Sequence, residues 1–435
     1  MSRNKRLVIW LWIALLCLAC AACGTGGNDD DDTKHDAIDD DDDTIDDDDN
    51  DNDTSPPPPV GGTDYILIGP QALLEAAEPL AEHHAVMGKN VWSASLEEIA
   101  PTTNAEERAR LIREYLQSAY DAARRQYVLL VGDHQTIPAV YMDPDPTWPG
   151  LYAGLSDVYY GDLAGDFDFD GDGRYGEWED DVYDYVPEMF VGRLPFHEPE
   201  RVHAVAEQSV AFALEDADHK WDTLLAAGNI SIPGDAAIIM EAMVNWIVAP
   251  GGYGCWRMYE AGGFIEPDGL LDHENFVERV ASHPPGMTVW ASHGNAACAS
   301  AGEPFVCNTD AESFAANPPG VMMSSGCRNA DLSVYDNLGA SLLGSGAVAF
   351  VGSTTTTDPG MLGEGSLVFL TMVDRALNGN LPLAEALAVA RGRYMELFFQ
   401  PDGFYDVGLF WMNFFGFTLL GDPALRYWAE EPAER

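Results

Sequence analysis

The sequence predicts an α/β protein of two side-by-side units with mainly parallel central sheets. Three observations carry this expectation. The chain has 435 residues and is 46% apolar, enough for a large core. From Gly62 onward, short apolar runs alternate with stretches of helical periodicity, as a doubly wound sheet requires. The alternation restarts after His219-Lys220, which divides the body into 62–219 and 220–435.

In the first unit, Tyr65–Ile68 reads as a strand, Gln71–Val86 as a helix and Asn90–Ser93 as a strand. A helix over Ala105–Arg125 and a strand over Tyr127–Val131 follow, then a strand at Glu188–Val191 and a helix over Glu200–Leu214. In the second unit, strands are expected at Leu224–Ala227, Cys255–Tyr259, Met287–Ser292, Val321–Ser325 and Ala347–Val351. Helices are expected over Ala236–Val248, Glu274–Ala281, Ser366–Leu377 and Leu383–Leu397.

Residues 1–61 have a different character. Arg3, Lys5 and Arg6 precede an apolar run from Leu7 to Ala22, too short to span a bilayer comfortably, which reads as a secretory signal. The run ends Ala21-Ala22-Cys23-Gly24, which resembles a bacterial lipoprotein signal over residues 1–23, with Cys23 as the lipidated residue. Residues 24–61 are expected to be a disordered linker: Asn28–Thr54 holds 16 Asp and one Lys, and Pro56–Pro59 follows. Self-repelling carboxylates and stiff prolines bury nothing, so the stretch is a solvated spacer some tens of ångströms long. The expected location is the bacterial cell envelope, as an exported outer-membrane or cell-surface lipoprotein.

The formal charge is −50, and the body stays strongly acidic without the linker. That sign repels phosphate backbones, which argues against nucleic acid and favours cations or basic peptides as partners. Beyond the signal, four cysteines remain: Cys255, Cys298, Cys307 and Cys327. They form no Cys-x-x-Cys pair, which argues against structural zinc, and Cys298 and Cys307 are close enough in sequence to close a disulfide loop.

The segment Asp166-Phe-Asp168-Phe-Asp170-Gly171-Asp172-Gly173-Arg-Tyr-Gly-Glu177 has calcium-loop spacing. Carboxylates stand at positions 1, 3 and 5, glycine at 6 and a carboxylate at 12. Without flanking helices of the length an EF-hand uses, it reads as a lone structural Ca2+ loop with Asp166, Asp168, Asp170, Asp172 and Glu177 as ligands.

Two apolar strands run into reactive residues: Met287–Ser292 into His293-Gly294, and Val321–Ser325 into Gly326-Cys327. In open α/β sheets reactive groups sit just past the carboxyl ends of strands. If these two strands pair in parallel, imidazole and thiol face one cleft, where a nearby imidazolium favours the nucleophilic thiolate. The N–H groups of Gly294 and Cys327 are then placed to meet a developing oxyanion. The alternatives are a buried or disulfide-bonded Cys327, and a non-catalytic, calcium-stabilised surface protein used for binding or adhesion.

The ordered blocks Tyr127–His134, Ser156-Asp157-Val158-Tyr159, Pro187–Arg193, Ser292-His293-Gly294, Ser325-Gly326-Cys327 and Leu419–Arg426 resemble the gingipain-type cysteine peptidases, of the wider caspase-like fold. The likeness runs from about Gly62 to Trp428. It implies a cysteine endopeptidase acting on polypeptides, with Cys327 as nucleophile, His293 as general base and acid, and Gly294 as an oxyanion donor. It places the acid that orients the histidine on Glu188, with Asp157 as second choice, and it implies calcium binding.

Overall fold

Runs such as Tyr65-Ile-Leu-Ile68 and Val128-Leu-Leu-Val131 are apolar on both faces and wholly buried. That pattern belongs to central strands covered by helices on either side. The computed structural model describes residues 61–145, 147–178, 180–183, 185–231, 235–358, 365, 367–398 and 407–430. The signal and nearly all of the spacer expected from the sequence lie outside the described residues.

In chain order the strands are β1 (Thr63–Gly69), β2 (Asn90–Ser95), β3 (Arg125–Val131), β4 (Val140–Met142), β5 (Gly154–Ser156), β6 (Phe190–Leu194), β7 (Asp222–Ala227) and β8 (Gly254–Tyr259). They continue with β9 (Gly269–Leu270), β10 (Met287–Ala291), β11 (His293–Gly294), β12 (Cys298–Ala301), β13 (Glu303–Cys307), β14 (Gly320–Ser324), β15 (Ala347–Ser353) and β16 (Phe417–Gly421). Among the described residues, eleven of these form one sheet in the order β2-β1-β3-β6-β16-β15-β14-β10-β7-β8-β9. The α/β class and the mainly parallel sheet are therefore as the sequence predicts.

Strand β16 runs antiparallel to β15 and meets β6 through a single bridge of parallel type, Leu420 opposite Arg193. Side-chain contacts around this junction fix the overall direction. Tyr65, near the start of β1, donates to Asp422 just past the end of β16 at 2.9 Å. Tyr127, near the start of β3, donates to Glu385, whose neighbour Ala384 is bonded to the Pro423 carbonyl. The starts of β1, β3 and β6 thus gather where β16 ends and β15 begins. Their carboxyl ends share the opposite edge with those of β10, β14 and β15.

Four elements differ from expectation. The helix expected over Ala105–Arg125 stops at Ala119, and Arg125 instead opens β3. The first helix is two, Gln71–Ala76 and Glu78–Val86, because Pro79 enters at the second position of the latter and has no N–H to continue the first. The helix expected over Ala236–Val248 is α-helical at Asp235–Met243 and finishes as a π-helical turn, Val244–Val248. The strand expected at Glu188–Val191 is β6, Phe190–Leu194, so Glu188 precedes it. No helix among the described residues is long and apolar enough to cross a membrane.

Candidate active site

The site is built on the parallel pair β10 and β14, buried along their whole length. Their register sets Trp290 opposite Ser324, and Ser325 N–H continues the ladder to the Trp290 carbonyl at 3.0 Å. His293 and Cys327 each lie three residues beyond that shared register pair. Adjacent strands are about 4.8 Å apart, so the two residues leave the sheet side by side.

His293 is exposed and sits in β11, paired with Ser300 of β12. Strand β12 pairs in turn with β13, and a disulfide joins Cys298 to Cys307, the pair nearest in sequence. Cys327 and Cys255 are free thiols, which removes the disulfide-bonded alternative for Cys327. They differ in surroundings. Burial pushes the Cys255 thiol up to about 11, which leaves it protonated and inert.

The turn after β14 is held by Asn329, a buried residue that sequence reasoning misses. Its amide Nδ2 donates to the carbonyls of Asn295 (2.7 Å) and Cys298 (3.1 Å), and its Oδ1 accepts from Ser324 Oγ at 2.6 Å. Ser324 Oγ accepts in turn from Gly326 N–H at 3.0 Å. One side chain thus ties the His293 segment to the Cys327 segment. Arg328 adopts φ 58°, a left-handed conformation costly for a residue with a β-carbon. It is fixed there by Arg328 N–H to the Thr355 carbonyl (2.8 Å) and by its guanidinium on Asp331.

Cys327 is half-buried, and its Sγ lies 3.4 Å from Thr357 N and 3.6 Å from Thr357 Oγ1. Gly294 is packed against the same turn: a β-carbon there would meet the Cys327 carbonyl oxygen at 2.9 Å. The N–H of Cys327 is engaged by no acceptor among the described residues.

Glu188 is not brought to His293. It stands before β6, at the edge opposite the carboxyl ends, and its Oε2 accepts from Leu163 N–H (2.6 Å) and Ala164 N–H (3.2 Å). The physical reason is its place at the amino end of β6, where two backbone N–H groups hold its carboxylate, while His293 follows the carboxyl end of β10. Asp157, the second choice, is buried in a two-pronged pair with Arg193 at 2.8 and 2.6 Å. Arg193 also donates to the carbonyls of Gly132 and Ile137, so Asp157 braces the wall between β3 and β6.

In the acidic loop, carboxylate oxygens of Asp168, Asp170 and Asp172 lie within 4.8 Å of one another. Gly171 and Gly173 adopt φ 76° and 86°, which permits the coil. Asp166 instead pairs its backbone with Val182. Glu177 is buried against Arg174, whose guanidinium gives it a protein cation. Of the five expected ligands the structure gathers three. Asp181, which the sequence did not single out, accepts from Phe169, Gly176 and Glu177 N–H at 2.7, 2.8 and 2.9 Å and staples the loop's two ends. Arg174 also reaches Asp143 at 3.2 Å, so the loop is joined to the segment leading into β5.

The model of peptidase family C25 matches residues 59–428, nearly all of the body. The chain belongs to peptidase family C25. It is a cysteine-type peptidase acting on polypeptides. Solved structures agree in fold. The complex of Porphyromonas gingivalis RgpB pro- and mature domains is 18% identical, at TM-score 0.65, over 83% of this chain and 79% of that one. The Arg-specific cysteine proteinase gingipain R is 17% identical, at TM-score 0.64, over 84% and 78%. No curated protein matches the C25 chain. The caspase-like fold expected from the ordered sequence blocks is thereby the fold of this C25 peptidase.

Proposed function

We propose that this C25 peptidase cleaves peptide bonds with Cys327 as nucleophile and His293 as general base and acid. The observation that carries the reading is the common offset of the two residues from the Trp290–Ser324 pair. Cys327 Sγ attacks the peptide carbonyl carbon, and His293 takes the thiol proton. The oxyanion forms beside the N–H groups of Gly294 and Cys327. His293 then gives the proton to the leaving amine, and water activated by His293 hydrolyses the thioester.

Two further parts belong to this reading. The convergence of Asp168, Asp170 and Asp172 supports a structural Ca2+, since hard oxygen donors in a glycine-turned loop suit that ion. The disulfide and the signal-like N-terminus support export, with lipid on Cys23 and the acidic spacer holding the enzyme off a membrane.

The test is turnover of a broad peptide library by wild type, Cys327→Ala and His293→Ala. Both variants are expected to lose at least 10³-fold in kcat/KM. Wild-type turnover by folded Cys327→Ala would remove the mechanism. Fractionation of cells expressing Cys23→Ala, with release from the membrane expected, tests the anchor.

A further inference from the structure

Strand β14 lies between β10 and β15, so the turn carrying Cys327 has a neighbour on each side. One is the His293 segment; the other is the segment Thr354–Asp358 that follows β15. Cys327 Sγ is directed to the second. Three atoms of Thr357 meet the sulfur: the N–H at 3.4 Å, the hydroxyl oxygen at 3.6 Å and the carbonyl oxygen at 3.8 Å. No hydrogen bond joins Cys327 to His293 among the described residues.

The two nearer groups suit opposite protonation states. An N–H donates, so it favours the thiolate. The hydroxyl of Thr357 donates its own proton to the Ser325 carbonyl at 2.8 Å, so toward sulfur it offers only a lone pair, which favours S–H. The backbone on both sides of Thr357 is anchored. Thr355 donates its hydroxyl to the Ala153 carbonyl at 3.0 Å and accepts Arg328 N–H on its own carbonyl. Asp358 exchanges two hydrogen bonds with the buried Asn413 side chain, at 3.1 and 2.8 Å. The N–H is therefore aimed at the sulfur before substrate arrives, at no ordering cost during the reaction.

We propose that Thr357 is a second holder of the nucleophile: its N–H donates to the Cys327 thiolate and its hydroxyl accepts from the thiol, so that the sulfur is held in both protonation states by a residue other than His293. This rests on Cys327 being the nucleophile.

The experiment is the pH dependence of alkylation by iodoacetamide, followed at Cys327 and Cys255 separately by peptide mass spectrometry. Thr357→Pro removes the N–H and is expected to slow alkylation of Cys327 at pH 6 by about tenfold, the size of a lost hydrogen bond to a charged group. Thr357→Val keeps the N–H and the carbonyl and removes the nearer acceptor of S–H, and is expected to speed the same reaction two- to threefold, about the size of a weak hydrogen bond. In His293→Ala, Thr357→Pro and Thr357→Val should move Cys327 alkylation in the same two directions as in wild type, because neither contact involves the imidazole. The valine measurement stands whether or not the proline variant folds. If the valine variant alkylates at the wild-type rate, with or without His293, the proposal is overturned. Full peptidase activity of Cys327→Ala would instead overturn the assignment of the nucleophile, a separate result from the same set of proteins.

Discussion

Gly294 lies so close to Cys327 that a β-carbon on it would stand 2.9 Å from the Cys327 carbonyl oxygen and 2.8 Å from Asn329 Nδ2. Both obstacles are held: one is backbone, the other a buried amide with two carbonyl partners. Gly294→Ala must therefore push the His293 segment away from the nucleophile. The expected loss is about 100-fold in kcat/KM, the usual effect of a displacement near 1 Å at a reacting centre. Unchanged kinetics would mean that the two strand ends do not cooperate.

Asn329 carries the mechanical link between the same two segments. Asn329→Ala leaves the Asn295 carbonyl without its donor and the Ser324 hydroxyl proton without its acceptor, and removes one of the two donors to the Cys298 carbonyl. The expected cost is about 2–4 kcal/mol by urea denaturation. A variant as stable as wild type would show that the link is not needed.

Acid stability should depend on Asp422. Burial alone would raise its carboxyl, but His84, together with hydrogen bonds from Ala424 N–H and Tyr65, holds it below the usual carboxylate range. A carboxyl that is harder to protonate folded than unfolded contributes its stability above the unfolded value, near pH 4. The contribution is lost as pH falls through the folded value. Melting temperature should therefore be level from pH 7 to about 5 and fall below about 4, and Asp422→Asn should flatten that fall. An equally steep acid limb in the asparagine variant would assign it elsewhere.

Chelation should act on stability more than on chemistry. Asp168, Asp170 and Asp172 lie in a loop stapled by Asp181 and packed through Gly176 on Met142 and Phe415. On the proposed Ca2+ site, adding EGTA to protein equilibrated with CaCl2 is expected to lower its melting temperature by several degrees, and Asp170→Asn should abolish the difference. No thermal shift on chelation would count against the site.

The parts legible in the sequence are those whose signal is local. The ends of β10 and β14 are visible because Met287-Thr-Val-Trp-Ala and Gly-Val-Met-Met-Ser are unbroken apolar runs closed by small residues. Glu188 is placed by resemblance of the short Pro187–Arg193 block, and a block match carries no information on which sheet edge the residue occupies: Glu188 precedes β6, whereas His293 follows the carboxyl end of β10. Strand β16 follows Val407–Gly416, an apolar helix, with only Gly416 between periodicities. Asn329 and Thr357 act through contacts 34 and 30 residues away in the chain, which no spacing rule reveals. Asp181 is likewise hidden among the many carboxylates of its segment.

The central claim is that Cys327 and His293 form one catalytic unit. A peptidyl electrophile that mimics the scissile carbonyl, followed by peptide mapping, tests it most directly. The account predicts a single adduct on Cys327 that forms at least 100-fold more slowly in His293→Ala, by the usual contribution of a general acid–base group. An adduct on another residue, or labelling of Cys327 at an unchanged rate without His293, would contradict it.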